Sequence, residues 1–297
     1  MNIENLAFLQ DNLKYLGFGE GAALNRELEE QVKLGLEDFQ LHTEAFFDDD
    51  TRIEAKLYFR LSDDSDRYLF KRYEATLHYP NEPGKSRTQT IYIFKGKGFT
   101  FKETFNLLEG RAVNKDLTSL DGAKYNAWSQ LNFDEKDKHN NYKIRQYGEG
   151  YRYDLEKALA IYPILDLLNE ELKTALLRSL RRGNIHPVTF IKGNKRERFF
   201  VEANPKSRLI NIYPQATRAA LGDKNRDKKE PGVEIPGSTM PDESKDESKD
   251  ESKDLEGQEL LPSEVELIDV PTEKEEPSAE EIQPATARSS LRKRIYK

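Results

Sequence analysis

Apolar residues along the first third of the chain fall into two successive rhythms. Leu6, Leu9, Leu13 and Leu16 recur at helical spacing, and Leu24, Leu28 and Val32 form a second such stripe. These rows predict an N-terminal pair of helices. The period then changes to two. Ile53, Ala55, Leu57, Phe59 and Leu61 alternate with Glu54, Lys56, Tyr58 and Arg60, as in a strand buried on one face. A turn at Asp63–Asp66 leads to a second strand over Tyr68–Tyr79, and Pro80–Ser86 turns the chain into a third over Thr88–Lys95. An antiparallel meander is expected.

The glycines punctuate this pattern in two ways. Gly17-Phe18-Gly19-Glu20-Gly21 resembles a phosphate-cradling loop, but such loops follow a strand and avoid a carboxylate at the anion site. Here the segment joins two helical rows and holds Glu20, so it reads as an inter-helix turn. Further on, Gly96-Lys97-Gly98-Phe99-Thr100-Phe101 returns 52 positions later as Gly148-Glu149-Gly150-Tyr151-Arg152-Tyr153. Tyr73-Glu74-Ala75 and Tyr125-Asn126-Ala127 keep the same offset upstream. Each copy reads strand, strand, Gly-x-Gly-aromatic-x-aromatic, helix: a duplicated packing unit whose alternating aromatics plug a core. A helix capped by Asn169 and closed by Gly183 follows, then strands over Pro187–Ile191, Glu197–Ala203 and Leu209–Tyr213. The fold class expected is α+β, mostly antiparallel, with helices on one face.

Beyond Leu221 the pattern dissolves. Asp242–Asp254 is a perfect four-residue repeat, DESKDESKDESKD, and prolines are scattered around it. Dense charge with few apolar residues cannot offset chain entropy of about 1–2 kcal/mol per residue, so a disordered acidic tail is expected. Two islands interrupt it as candidate docking motifs. One is Leu260, Leu261, Val265, Leu267, Ile268 and Val270; the other is the basic Ser289–Lys297. Three segments follow: residues 1–119 with the first unit, 120–221 with the second unit and a basic hairpin, and the tail 222–297.

Composition removes several chemistries. The chain of 297 residues contains no cysteine, which excludes disulfides, thiolate metal sites and thiol nucleophiles. It has no apolar run of membrane-spanning length. The first twenty residues carry acidic and amide groups where a signal peptide is basic and then apolar, so a cytoplasmic protein is expected. His42, His78, His139 and His186 stand apart, without the spacing of a metal site, and no cofactor is implied. Asp48-Asp49-Asp50 followed by Glu54-Ala55-Lys56 is the nearest approach to a metal-dependent nuclease signature. Asp50 lies too close to Glu54, in what reads as one turn, so a solvated turn before an amphipathic strand is the better account. No catalytic residue is assigned.

Charge changes the picture more. The formal net charge of −7 divides into −10 over residues 1–66, +11 over 67–221 and −8 over 222–297. Arg178, Arg181, Arg182, Lys192, Lys195, Arg196, Arg198, Lys206, Arg208 and Arg218 face only Glu197 and Glu202. The first nine are the candidate nucleic-acid-binding residues. Phe190, Phe199, Phe200 and Tyr213 are interleaved with them, the composition of basic sheets that hold a phosphate backbone and stack bases.

The stretch 106–213 resembles a family of Bacteroidota proteins commonly encoded on conjugative transposons and related mobile elements. The likeness rests on Gly110–Thr118 (GRAVNKDLT), Tyr125–Trp128 (YNAW), Tyr153–Ala160 (YDLEKALA), Ser179–Asn184 (SLRRGN) and Phe199–Tyr213 (FFVEANPKSRLINIY), with an N-terminal ENLAFLQDNLKYLGFGEG of the same type. It carries no activity and no catalytic residues. The context it implies is an accessory protein of a mobile element, binding DNA or RNA, or adapting proteins of the transfer machinery through the tail islands.

Overall fold

The computed structural model describes residues 2–19, 21–48, 51–80, 82, 84–119, 122–215 and 266–267. Glu20, Asp49, Asp50, Arg218 and nearly all of the expected acidic tail lie outside the described residues. Five α-helices and three sheets, antiparallel but for one two-residue strand, make up the described part, an α+β architecture.

Helix α1 (Ile3–Tyr15) starts where the Asn2 side chain accepts from the Asn5 backbone, and it buries Leu6, Leu9 and Leu13. Helix α2 (Ala22–Leu34) ends at Gly35, whose φ of +69° is left-handed. The first sheet is a meander of β1 (Asp38–Ala45), β2 (Arg52–Leu61), β3 (Tyr68–His78) and β4 (Arg87–Tyr92). Its alternation is the one written in the sequence: Ile53, Ala55, Leu57 and Phe59 are buried, while the intervening Glu54, Lys56, Tyr58 and Arg60 are not. Helix α3 (Phe101–Leu108) opens with a capping box between Thr100 and Glu103. The buried Tyr73 hydroxyl donates to the Phe99 carbonyl at 2.7 Å, tying β3 to the entry of α3.

The second sheet contains β5 (Val113–Thr118), β6 (Lys124–Lys136) and β7 (Tyr142–Tyr147), in the order β5-β6-β7. After β7 come a 3₁₀ turn at Glu149–Tyr151, helix α4 (Leu155–Ala160), a second 3₁₀ turn at Leu165–Leu168 and helix α5 (Glu170–Arg181). The third sheet follows: β8 (His186–Lys192), β9 (Lys195–Asn204) and β10 (Leu209–Pro214), with β9 central. A last two-residue strand, β11 (Glu266–Leu267), runs parallel to β7.

Two hydrophobic cores result. One joins α1, α2, α3 and the first sheet; the other joins α4, α5 and the third sheet. The second sheet serves both, because Leu131 belongs to the first core and Trp128 and Tyr147 to the second. The division expected at residue 119 thus falls between two paired strands, β5 and β6.

The two Gly-x-Gly segments take different shapes. Gly96 is left-handed at φ +73° in a tight turn bridged by Phe94 and Lys97, whereas Gly148 is extended and the left-handed residue is Arg152. The following helices are capped by Thr100 and Asp154, two positions out of step with the 52-residue offset.

Candidate nucleic-acid interface

All nine candidate basic residues are exposed, but they do not form a single face. Lys192 and Lys195 stand directly opposite each other across the two-residue turn Gly193-Asn194, at the tip of the β8–β9 hairpin. Arg196 and Arg198 alternate along β9 just behind them, on the other face of the sheet. Lys206 and Arg208 belong to the turn between β9 and β10 at the opposite end. Strand β9 has ten residues, so the two groups lie about 30 Å apart at the usual rise. Arg178, Arg181 and Arg182 crowd the end of α5, where they answer the helix dipole.

Few of these residues are paired. Arg181 reaches Glu156 at 4.0 Å; among the described residues the other eight make no ion pair. Elsewhere in the body Arg52, Arg60, Lys115, Lys143 and Arg145 are all matched by carboxylates. Like charges facing each other across a ladder cost about 0.2–1 kcal/mol, which makes Lys192 opposite Lys195 a local expense with no return inside the fold. Arg208 has a different partner: its guanidinium sits 4.7 Å from the centre of the Tyr151 ring, and the Tyr151 hydroxyl donates to the Lys206 carbonyl at 2.8 Å.

The interleaved aromatics do not serve as an exposed stacking platform. Phe190 and Phe199 pack against each other at 4.8 Å and against the second core. Phe200 is buried, and Tyr213 is partly so. The ladder explains it: Val188, Phe190, Phe199, Val201 and Ile210 share the face that meets α4 and α5.

On the opposite face of the third sheet lies a polar ladder that spacing alone did not single out. The buried Glu202 carboxylate accepts from Asn211 Nδ2 at 2.6 Å and from the Tyr213 hydroxyl at 2.9 Å. Asn204 Nδ2 in turn donates to Asn211 Oδ1 at 2.8 Å. Burial first, then the neighbouring Glu202 charge, push the Tyr213 hydroxyl up to about 12. The signal was available as Glu-x-Asn and Asn-x-Tyr on two strands joined by a short turn. Register was needed to see that they meet.

The nuclease constellation is not assembled among the described residues. Glu54 lies 2.9 Å from His78 and 3.5 Å from Arg52, while Lys56 leans toward Glu74 at 3.9 Å. Asp48 is engaged as a turn cap, accepting from the backbone and hydroxyl of Thr51. No group of three His, Asp or Glu side chains gathers in metal-binding geometry among the described residues. A surface depression lined by Arg52, His78, Tyr79 and Lys85 is open to solvent. No helix among the described residues is long and apolar enough to cross a membrane.

Compared with known proteins, the chain matches no family model, no curated protein and no solved structure.

Proposed function

We propose that the protein is a non-enzymatic binding protein that holds a nucleic-acid backbone with the β8–β9 hairpin. The observation that carries this reading is the uncompensated group Lys192, Lys195, Arg196 and Arg198, with its like-charged pair at the tip. Charge left unmatched at a cost inside the fold is what a site for an external polyanion requires. Buried aromatics favour contact with phosphates over base stacking, hence weak sequence preference. The setting is that of the resemblance, an accessory protein of a bacterial mobile element acting in the cytoplasm. The scaffold beneath the hairpin is read as a duplicated strand-strand-turn-helix unit whose glycine turns have diverged.

The test is fluorescence anisotropy with short DNA and RNA duplexes and single strands in a salt series. Binding at low salt that weakens steeply with salt is expected, and changing all four hairpin residues to Glu should cost at least about tenfold. Absence of binding to every probe at low salt defeats the proposal.

A second reading, a protein–protein adaptor of the transfer machinery, is favoured by one feature. Ile161, Leu168 and Leu172 are 66 %, 80 % and 51 % exposed around the turn that leads into α5. A partner retained in a pull-down after nuclease treatment, and lost when Leu168 and Leu172 become Ser, supports it over the first.

A further inference from the structure

Apart from the two-residue β11, strand β7 is the edge of the second sheet. Its inner side pairs with β6, and its outer side presents backbone donors and acceptors that solvent or another strand must satisfy. The one described piece of the chain beyond residue 215 lies there. Glu266 stands opposite Arg145 and Leu267 opposite Gln146, in parallel register. We infer that the outer edge of β7 is a strand-accepting surface whose occupant is the chain's own apolar island around Leu267.

Three independent features of the sequence fit this occupant. Pro262 and Pro271 bracket an eight-residue window free of proline, Ser263–Val270, and prolines belong at the ends of added strands rather than inside them. Within it, Val265, Ile268 and Val270 are β-branched residues in a tail otherwise poor in them. The charges are complementary as well. The window carries Glu264, Glu266 and Asp269, and β7 carries Lys143 and Arg145, which approach Glu135 at 3.3 and 3.8 Å.

Reach is sufficient. Fifty residues separate Gln215 from Glu266, and a flexible chain of that length spans about 40 Å on average. The DESK repeat then acts as the spacer of an intramolecular clip, which holds the effective concentration of the island at the edge near the millimolar range. Main-chain pairing supplies the affinity in this recognition mode, so an external extended segment of similar composition competes for the same edge.

The inference does not depend on nucleic-acid binding, and amide exchange reads it directly. In the full chain, alternate amides of Lys143–Tyr147 are expected to exchange at least about tenfold more slowly than in a Glu266→Pro/Leu267→Pro double variant. A control pair of prolines in the repeat, Glu247→Pro/Ser248→Pro, should leave that protection intact. Equal exchange in the full chain and the island variant overturns the proposal. Protection that grows with protein concentration and accompanies a doubling of mass also overturns it, since the island then docks on a second copy. An added peptide covering 260–271 that restores protection to the double variant supports it.

Discussion

Gln89 and Tyr142 exchange two hydrogen bonds that join the first sheet to the second. The Gln89 side-chain amide donates to the Tyr142 carbonyl at 3.3 Å, and its oxygen accepts from the Tyr142 N–H at 2.9 Å. Next to it the Asn141 side chain accepts from the Thr90 N–H at 2.9 Å. The tip of the β6–β7 hairpin is therefore tied to β4 by one side chain from each element.

Because Gln89 is only 3 % exposed, its replacement leaves both Tyr142 backbone groups without a partner. Gln89→Leu is expected to destabilise the protein by about 2–4 kcal/mol, one to three for each orphaned group with some relief from water. Urea denaturation measures this directly. A loss below about 0.5 kcal/mol means that the junction contributes nothing, and that the two sheets are held by their shared core alone.

The other junction depends on a glycine. Gly183 follows α5 in a Schellman motif: its N–H donates to Leu180 and that of Asn184 to Ser179. Its φ is +79°, and a Cβ there would sit 2.9 Å from the Ala112 carbonyl and 3.1 Å from Asn106 Cβ. Asn106 also donates to the Arg182 carbonyl at 2.7 Å, so the end of α5 is pinned to α3. Gly183→Ala combines left-handed strain with a backbone clash and should cost about 2–4 kcal/mol, read as a fall in Tm. Gly35 has the same handedness with open space around it, and Gly35→Ala should cost about 1 kcal/mol.

These junctions mark where the sequence was readable and where it was not. Strands β2 and β3 and helix α5 follow from local rules, because alternation over Ile53–Leu61 and the Asn169 cap with Gly183 are complete within each segment. Strand β1 has just two buried apolar residues, Phe39 and Leu41, and β5 has Val113 alone. Both exist because a longer neighbour offers a ladder, which no local period records. The same limit applied to the candidate site. Charge density between Arg178 and Arg208 was legible, but its separation along β9 and the inward turn of Phe190 and Phe199 depend on strand length and register. The Glu202–Tyr213 ladder was hidden for the same reason.

On the outer face of the first sheet, Glu54 gives a pH dependence. The His78 imidazole, 2.9 Å away, holds its carboxyl below the ordinary value of 4.5, with Arg52 and Lys56 adding to the effect and partial burial opposing it. A carboxyl with a depressed folded-state pKa stabilises the fold above its unfolded pKa, and loses that contribution as pH falls through the folded one. Stability should therefore decline below about pH 4.5, and Glu54→Gln should flatten the decline while lowering stability at neutral pH. Urea midpoints of both proteins at about pH 6 and about pH 3.5 decide it. A variant whose midpoint changes with pH as much as the parent's assigns the acid response to other carboxylates.

The separation of the basic residues allows the proposed interface to be dissected. Lys192, Lys195, Arg196 and Arg198 are free of ion pairs among the described residues, whereas Arg208 lies over the Tyr151 ring and Arg181 pairs with Glu156. If the hairpin holds the backbone, each of its cations that touches a phosphate contributes about 0.9 to the slope of log affinity against log salt on duplex DNA. Lys192→Ala with Lys195→Ala should lower that slope by about two and weaken binding evenly across sequences. The same pair of changes relieves the repulsion at the tip and should leave stability unchanged or raise it by up to about 1 kcal/mol. Lys206→Ala with Arg208→Ala, about 30 Å away, should leave the slope unaltered while costing stability through the lost Tyr151 contact. A slope that falls equally for both pairs means that the bound strand runs the length of β9. A slope that falls only for the second pair moves the interface to the β9–β10 turn.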